Sequence, residues 1–117
     1  MAATPPEFGI HYVEFGVKDM DSTKEFYGRA FGWEFTDHGP TYSSFSKAAL
    51  DGGFDADAPG AIGRPLVILY SADLESAEQR VRNAGGRIVK PIFSFPGGRR
   101  FHFSDPAGNE LAIWSDK

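Results

Sequence analysis

The sequence predicts an α+β fold in which two βαβββ modules pair into a cupped mixed sheet with the helices outside. A segment at residues 13–32 returns at residues 67–86, so that Asp19 matches Asp73, 54 positions later. Internal duplication of this kind predicts a fold built from two similar units. Each copy reads as a strand, a capped helix and a terminating glycine, and short strand-like runs follow each helix.

The composition is typical of a folded globular protein. Of 117 residues, 41% are apolar and eleven are Phe, so we expect one domain over residues 1–117, made of two repeats at about 9–56 and 64–116. The net charge of −4 comes from interspersed acids and bases, which argues against binding to nucleic acid or to a membrane surface. Cysteine is absent, as suits a reducing compartment, and we expect a cytoplasmic protein.

The first strand is predicted over residues 11–17, after a loose arm formed by residues 1–8. Apolar residues alternate with other residues along it, as in a strand with one face in a core. This alternation places Tyr12 and Glu14 together on the opposite face. The core face carries Val13, Phe15 and Val17.

Both predicted helices have recognisable ends. Asp19 or Asp21 can cap the first helix by accepting a backbone N–H, and Asp73 can cap the second. Gly32 can end the first helix in the left-handed conformation, as the pair at 85–86 can end the second. The remaining strands are predicted at residues 33–36, 42–46, 49–54, 66–70, 87–90, 100–104 and 109–114, with a type I turn at 105–108.

Two segments are predicted to be irregular. Residues 55–64 form a Gly/Pro-rich linker. Residues 91–98 are predicted to form a loop whose Phe93 and Phe95 either cover a site as a lid or pack on a partner subunit.

One face of each predicted sheet lies away from its helix and needs a cover. That cover is the other repeat, a second copy of the chain or a ligand. Two curved sheets with outer helices leave a trough between them, and such a concave surface is the expected ligand-binding site.

The sequence resembles the vicinal-oxygen-chelate superfamily, which includes glyoxalase I, extradiol dioxygenases, fosfomycin-resistance enzymes and bleomycin-resistance proteins. The resemblance covers nearly the whole chain and rests on residues 17–19, 26–27, 31–33, 72–86 and 105–109. It implies paired βαβββ modules, often completed in a homodimer, and we expect a homodimer here. It also implies a divalent metal held by His or Gln on the first strand of a module and by Glu or His on later strands.

Carried over one at a time, the family's metal positions lack metal-binding side chains. They fall on Tyr12, on Leu66 or Val67, on Gly52 or Gly53 beside Asp51, and on Ala112. A divalent ion needs three or more imidazole or carboxylate ligands at roughly 2.0–2.6 Å. We therefore expect no metal and no other cofactor.

Six side chains are candidates for binding a small-molecule ligand. They are Tyr12, Glu14, Arg100, His102, Glu110 and Trp114. Three of them, Glu14, His102 and Glu110, are also candidates for acid–base catalysis. The candidacy of Arg100 and His102 assumes that Phe101 and Phe103 face the helix.

Each candidate also has a structural alternative. Glu14 and Glu110 can be rim carboxylates paired with an arginine, at position 64, 99 or 100. Tyr12 and Trp114 can seal the trough instead of stacking on a planar ligand. The other two histidines are interpreted as structural: His11 starts a strand with a local hydrogen bond, and His38 lies in an exposed turn.

Three functions stay open. The first is a metal-free protein that binds an aromatic or amphipathic small molecule, as bleomycin-resistance proteins do. The second is a lyase, isomerase or dioxygenase of the same superfamily with a non-standard metal or acid–base site. The third is a structural or interaction module whose trough is filled by its own side chains or by a partner subunit.

Overall fold

The computed structural model describes residues 4–117 and divides them into two compact units. The unit called here the first module contains Tyr12–Leu66. The second module combines residues 4–11 with Val67–Lys117. Within the described chain, no helix is both long and apolar enough to cross a membrane.

The first module is a βαβββ unit. Its elements are β1 (Ile10–Gly16) from Tyr12 onward, α1 (Met20–Phe31), β2 (Glu34–Asp37), β3 (Tyr42–Ser46) and β4 (Asp51–Asp55). The strands follow the order β2-β3-β4-β1, with β1 parallel to β4 and the other neighbours antiparallel. Asp19 caps α1, since its Oδ1 accepts from the Ser22 N–H at 3.2 Å, and Gly32 ends α1 with φ +75°.

An aromatic cluster forms the core of the first module. Val17, Phe45 and Phe54 are at most 6% exposed. Partly buried side chains pack against them, among them Phe15, Met20, Tyr27, Trp33 and Phe35. The predicted core face of the first strand is thus confirmed at Phe15 and Val17.

The second module repeats this plan after the linker, which contains a short 3-10 turn at Pro59–Ala61. Its elements are β5 (Leu66–Tyr70), α2 (Leu74–Asn83), β6 (Arg87–Phe95), β7 (Gly98–Ser104) and β8 (Glu110–Ser115). The order is β5-β8-β7-β6, with β5 parallel to β8 and the other neighbours antiparallel. Asp73 caps α2 through the Ser76 N–H at 3.1 Å. The α+β class and the βαβββ plan of both repeats are confirmed.

The predicted loop over residues 91–98 is wrong, because β6 continues through Pro91 to Phe95. A proline inside a strand removes a hydrogen-bond donor and is confined to edges and bulges. Both conditions hold here, since β6 ends its module's strand order and its register with β7 shifts between Lys90 and Phe93. Phe93 and Phe95 therefore lie on a strand.

The loose arm predicted for residues 1–8 is also wrong in its described part. The carboxylate of Glu7 accepts from the Ser71 hydroxyl at 2.7 Å and from the Ala72 N–H at 2.8 Å. The Phe8 N–H donates to the Tyr70 carbonyl at 2.6 Å. These contacts join the segment before β1 to the second module, across 64 and 65 positions of sequence.

Candidate functional site

A chain of hydrogen bonds in the first module centres on Tyr42. Its hydroxyl donates to Glu14 Oε2 at 2.8 Å and lies 2.7 Å from the Tyr12 hydroxyl. A phenol carries one proton, so Tyr12 must donate to Tyr42 once Tyr42 donates to the carboxylate. The protons are therefore ordered from Tyr12 through Tyr42 to Glu14.

The strands of the first module position this chain. Tyr12 and Glu14 share a face of β1, as predicted, and both approach the Tyr42 hydroxyl on β3. Strand β4 lies between β1 and β3. A Cβ built on its Gly53 would lie only 2.2 Å from the Tyr42 hydroxyl oxygen. Glycine at position 53 therefore makes room for the tyrosine to reach across β4.

The environment keeps Tyr42 protonated. Burial raises the pKa of Tyr42 far above its ordinary value, and the negative charge of Glu14 raises it further. Tyr42 is consequently a hydrogen-bond donor, not a phenolate, throughout the physiological pH range.

A second polar pair lies in the second module between β7 and β8. His102 is 4% exposed, and its Nδ1 lies 2.8 Å from Glu110 Oε2. An ionised carboxylate only accepts, so Nδ1 carries the proton, and Nε2 of the neutral ring presents a lone pair. Within residues 4–117, no hydrogen-bond partner reaches Nε2.

Charges and rings surround this imidazole. Burial lowers the pKa of His102, and the cationic Arg100 and Lys90 lower it further against the opposing hydrogen bond from Glu110. The ring is therefore neutral near pH 7. The Phe93 ring lies 5.8 Å from the imidazole between centroids, and the Arg100 guanidinium carbon lies 5.5 Å from the Phe93 centroid.

The predicted faces of β7 are confirmed. Phe101 is fully buried in the core of the second module, and Phe103 packs against that core. Arg100 and His102 lie on the other face, where they meet Phe93. The arginine alternative for Glu110 is wrong, because the contact of its carboxylate is His102.

Trp114 on β8 has a partner that the sequence did not indicate. Its indole N–H donates to His11 Nδ1 at 3.2 Å, and the two rings stack 5.7 Å apart. The local hydrogen bond expected for His11 is therefore wrong, since the two residues are 103 positions apart. His38 is exposed, as predicted, and its Nε2 lies 3.0 Å from the Ser44 hydroxyl.

Sequence reasoning missed Tyr42 as a site residue, although a signal was present. Alternation along β3 puts Tyr42 on the face opposite to Phe45. Phe45 belongs to the core, so Tyr42 belongs to the polar face with Ser44. The candidates thus fall into groups within each module: Tyr12, Glu14 and the added Tyr42 in the first; Arg100, His102 and Glu110 in the second; and Trp114 on His11.

The residues at the family's metal positions do not fit a metal ion. The Tyr12 hydroxyl is engaged with Tyr42. A side chain at Gly52 would meet the Phe45 ring at 2.2 Å, and one at Gly53 would meet Tyr42. Ala112 is a fully buried methyl group and cannot donate. Across the described residues, no three His, Cys, Asp or Glu side chains lie close enough together to share an ion. The absence of a metal and of another cofactor stays a prediction.

Comparison with known proteins decides the family. The family model described as "Glyoxalase/Bleomycin resistance protein/Dioxygenase superfamily" matches residues 9–113. The chain belongs to this superfamily. The resemblance stated from the sequence motifs is confirmed, and the two βαβββ modules are those of the glyoxalase/bleomycin-resistance fold.

One characterised relative is distantly similar to this chain. The anthracycline biosynthesis protein DnrV of Streptomyces peucetius is 26% identical over 124 residues, which cover 88% of this chain and 45% of DnrV. The chain therefore spans about half the length of that relative.

Two solved structures share the fold. Methylmalonyl-CoA epimerase of Mycobacterium tuberculosis superposes with a TM-score of 0.73 at 18% identity, over 98% of this chain and 92% of the epimerase. The Mn(II)-bound glyoxalase of Novosphingobium aromaticivorans gives 0.68 at 22% identity, over 94% of this chain and 39% of that one. At these identities the similarity shows the fold alone.

Proposed function

We propose that the chain is a metal-free small-molecule-binding protein of the glyoxalase/bleomycin-resistance superfamily. The observation that carries the proposal is the Tyr12–Tyr42–Glu14 chain at the first-strand metal position of the family. There a proton donor, Tyr42, holds the nearby carboxylate at 2.8 Å. A ligand would meet hydroxyls and rings where relatives use an ion.

The side chains of the candidate groups suit a planar aromatic ligand with polar substituents. In the first module Tyr12 supplies a ring, and the Tyr42 hydroxyl supplies a polar atom beside it. In the second module Phe93 and Trp114 supply rings, and His102 supplies a polar atom beside Phe93. Aromatic rings favour stacked or edge-on neighbours at 4.5–7 Å between centroids. The similarity to DnrV, an anthracycline biosynthesis protein, is a further reason to begin with planar aromatic probes.

Metal analysis and a binding titration together test this function. We expect purified protein to contain no stoichiometric metal and to bind 2-naphthol saturably, one molecule per chain, by isothermal titration calorimetry. A chelator should leave the affinity unchanged. A stoichiometric metal whose removal abolishes binding would refute the metal-free site. An absence of binding heat at two well-separated temperatures would refute the ligand class, because the heat-capacity change of apolar burial prevents the enthalpy from being zero at both.

An acid–base enzyme is the second candidate, and the His102–Glu110 pair favours it. A neutral imidazole oriented by a carboxylate is the arrangement of a general base. Since one structural relative is a methylmalonyl-CoA epimerase, the test is proton exchange at C2 of methylmalonyl-CoA in D2O, followed by NMR. Catalysed exchange by the wild type but not by His102→Asn would support this function, and exchange at the uncatalysed rate would remove it for this substrate.

We also propose that the protein acts as a homodimer in the cytoplasm. The superfamily resemblance supports the homodimer, and the lack of cysteine supports the cytoplasmic location. Light scattering coupled to size exclusion should give twice the chain mass, and a monomer at micromolar concentration would contradict the dimer.

A further inference from the structure

The buried Nε2 of His102 is an unsatisfied hydrogen-bond acceptor. The side chain of His102 is 5% exposed, and no hydrogen-bond partner for Nε2 lies within the described residues. Because Nδ1 is committed to Glu110, the ring cannot turn its lone pair elsewhere without losing that bond. A buried polar atom left without a partner costs free energy, which a ligand donor would recover.

The ring of Phe93 covers this part of the second module and can be displaced. Phe93 lies on β6, which ends its module's strand order. The register with β7 is irregular just before Phe93, and 36% of its surface is exposed. The backbone of Phe93 is paired with Arg100 in the ladder, so a displacement of its ring is a rotation of the side chain and leaves the strand in place.

Positive charge surrounds the imidazole from two strands. Lys90 on β6 pairs in register with His102, and Arg100 precedes it by two residues on β7. The guanidinium of Arg100 lies over the rings of Phe93 and Phe95, at 5.5 and 5.8 Å from their centroids. An electron-rich aromatic ring that replaced Phe93 would keep this cation–π contact. The nearby cations would also favour a hydroxyl oxygen that gains negative charge as it donates.

We propose that the second module selects hydroxylated aromatic ligands, with a phenolic O–H donating to His102 Nε2 and the aromatic ring taking the place of Phe93 over Arg100. This inference rests on the proposed function and adds the chemical class of the ligand. Glu110 acts as a positioning residue, because it holds the imidazole in the tautomer that leaves Nε2 as an acceptor.

A matched pair of probes tests the hydroxyl. Binding of 2-naphthol is compared with binding of its methyl ether, 2-methoxynaphthalene, which has the same rings but no donor. Calorimetry is done on the wild type, on His102→Asn and on His38→Asn. Asn at position 102 keeps an amide for Glu110 but has no atom at the Nε2 position, while His38 is an exposed residue of the other module.

The wild type and His38→Asn should bind 2-naphthol about three- to tenfold more tightly than the ether, the usual contribution of one hydrogen bond. In His102→Asn the ratio of the affinity for 2-naphthol to the affinity for the ether should fall to about one. Equal affinities in the wild type, or a preference that persists in His102→Asn, would overturn the inference and leave the proposed function standing. If neither probe binds, the proposed function fails as well.

A measurement on the wild type alone guards against misfolding of the variant. In 15N-labelled protein, 2-naphthol should shift the Nε2 resonance of His102 clearly more than the ether does, because only 2-naphthol donates a hydrogen bond to that nitrogen. An unmoved Nε2 resonance at saturating 2-naphthol would also overturn the inference.

Discussion

The hydroxyl of Tyr42 donates to Glu14 Oε2 at 2.8 Å, although the two residues are 28 positions apart. The bond joins β1 to β3 across a strand that carries glycine at the crossing point. The same hydroxyl meets Tyr12, so a single oxygen atom holds two polar side chains of β1 in place.

Removing that hydroxyl should destabilise the protein without unfolding it. We expect Tyr42→Phe to lower the free energy of unfolding by about 1–3 kcal/mol, because Glu14 and Tyr12 lose a part-buried hydrogen-bond partner. Urea denaturation with an unchanged m-value would measure the loss. Tyr27→Phe is the matched control, since no hydrogen bond to the Tyr27 hydroxyl is found in residues 4–117, and it should stay within about 0.5 kcal/mol of the wild type. Equal effects of the two changes would contradict this account.

Alkaline pH should reveal the raised pKa of Tyr42. Above about pH 10, tyrosines of the unfolded chain release their protons while native Tyr42 keeps its own. The native state then binds more protons than the unfolded state, so the free energy of unfolding falls as pH rises. This fall should be shallower in Tyr42→Phe, measured by denaturant titrations from pH 9 upward. Parallel curves for the two proteins would show that Tyr42 ionises normally.

The glycine at position 53 should not tolerate a methyl group. A Cβ there would lie 2.2 Å from the Tyr42 hydroxyl oxygen, so Gly53→Ala must move Tyr42 and break its hydrogen bonds. We expect a loss of about 1–3 kcal/mol. Gly60 has nothing within 4 Å of its built Cβ, and Gly60→Ala should be nearly neutral. Thermal unfolding of both variants decides the matter, and a neutral Gly53→Ala would refute the packing described.

Acid should destabilise the protein through His102. The pKa of His102 lies below its ordinary value because of burial, with Arg100 and Lys90 adding to the effect and Glu110 opposing it. Below about pH 6.5 the unfolded chain therefore binds a proton that the native ring resists. Stability present above that pH is lost as pH falls, and the loss should be smaller in His102→Asn. Denaturant titrations between pH 7.5 and 5 test this. A steeper loss of unfolding free energy in the variant than in the wild type would contradict a lowered pKa of His102.

Local sequence signals predicted most of the secondary structure. The caps at Asp19 and Asp73, the strand β3 and the strand β5 match their predicted positions. These features depend on residues close in sequence. A helix is indicated by a capping carboxylate before apolar residues at helical spacing, and a strand by alternating apolar and polar residues that end at turn residues. The extension of β6 was missed because Pro91 reads as a loop unless the strand is known to lie at an edge.

The sequence predicted which residues are candidates for the site but not which of them contact one another. His102 and Glu110 were both candidates, but their contact depends on the register of β7 against β8. The role of Tyr42 depends on β4 standing between β3 and β1. Strand order and register are set by long-range contacts, and a single sequence carries no direct record of them.

The segment before β1 makes the second module discontinuous in sequence. Glu7 and Phe8 bond to residues 70–72, and residues 4–11 belong to the same compact unit as the C-terminal half. Proteolysis in the linker would therefore not release two self-sufficient fragments. The C-terminal piece would lack residues 4–11, which belong to the same compact unit. Adding these residues back as a separate peptide would test whether the two non-contiguous parts of that unit can complement each other.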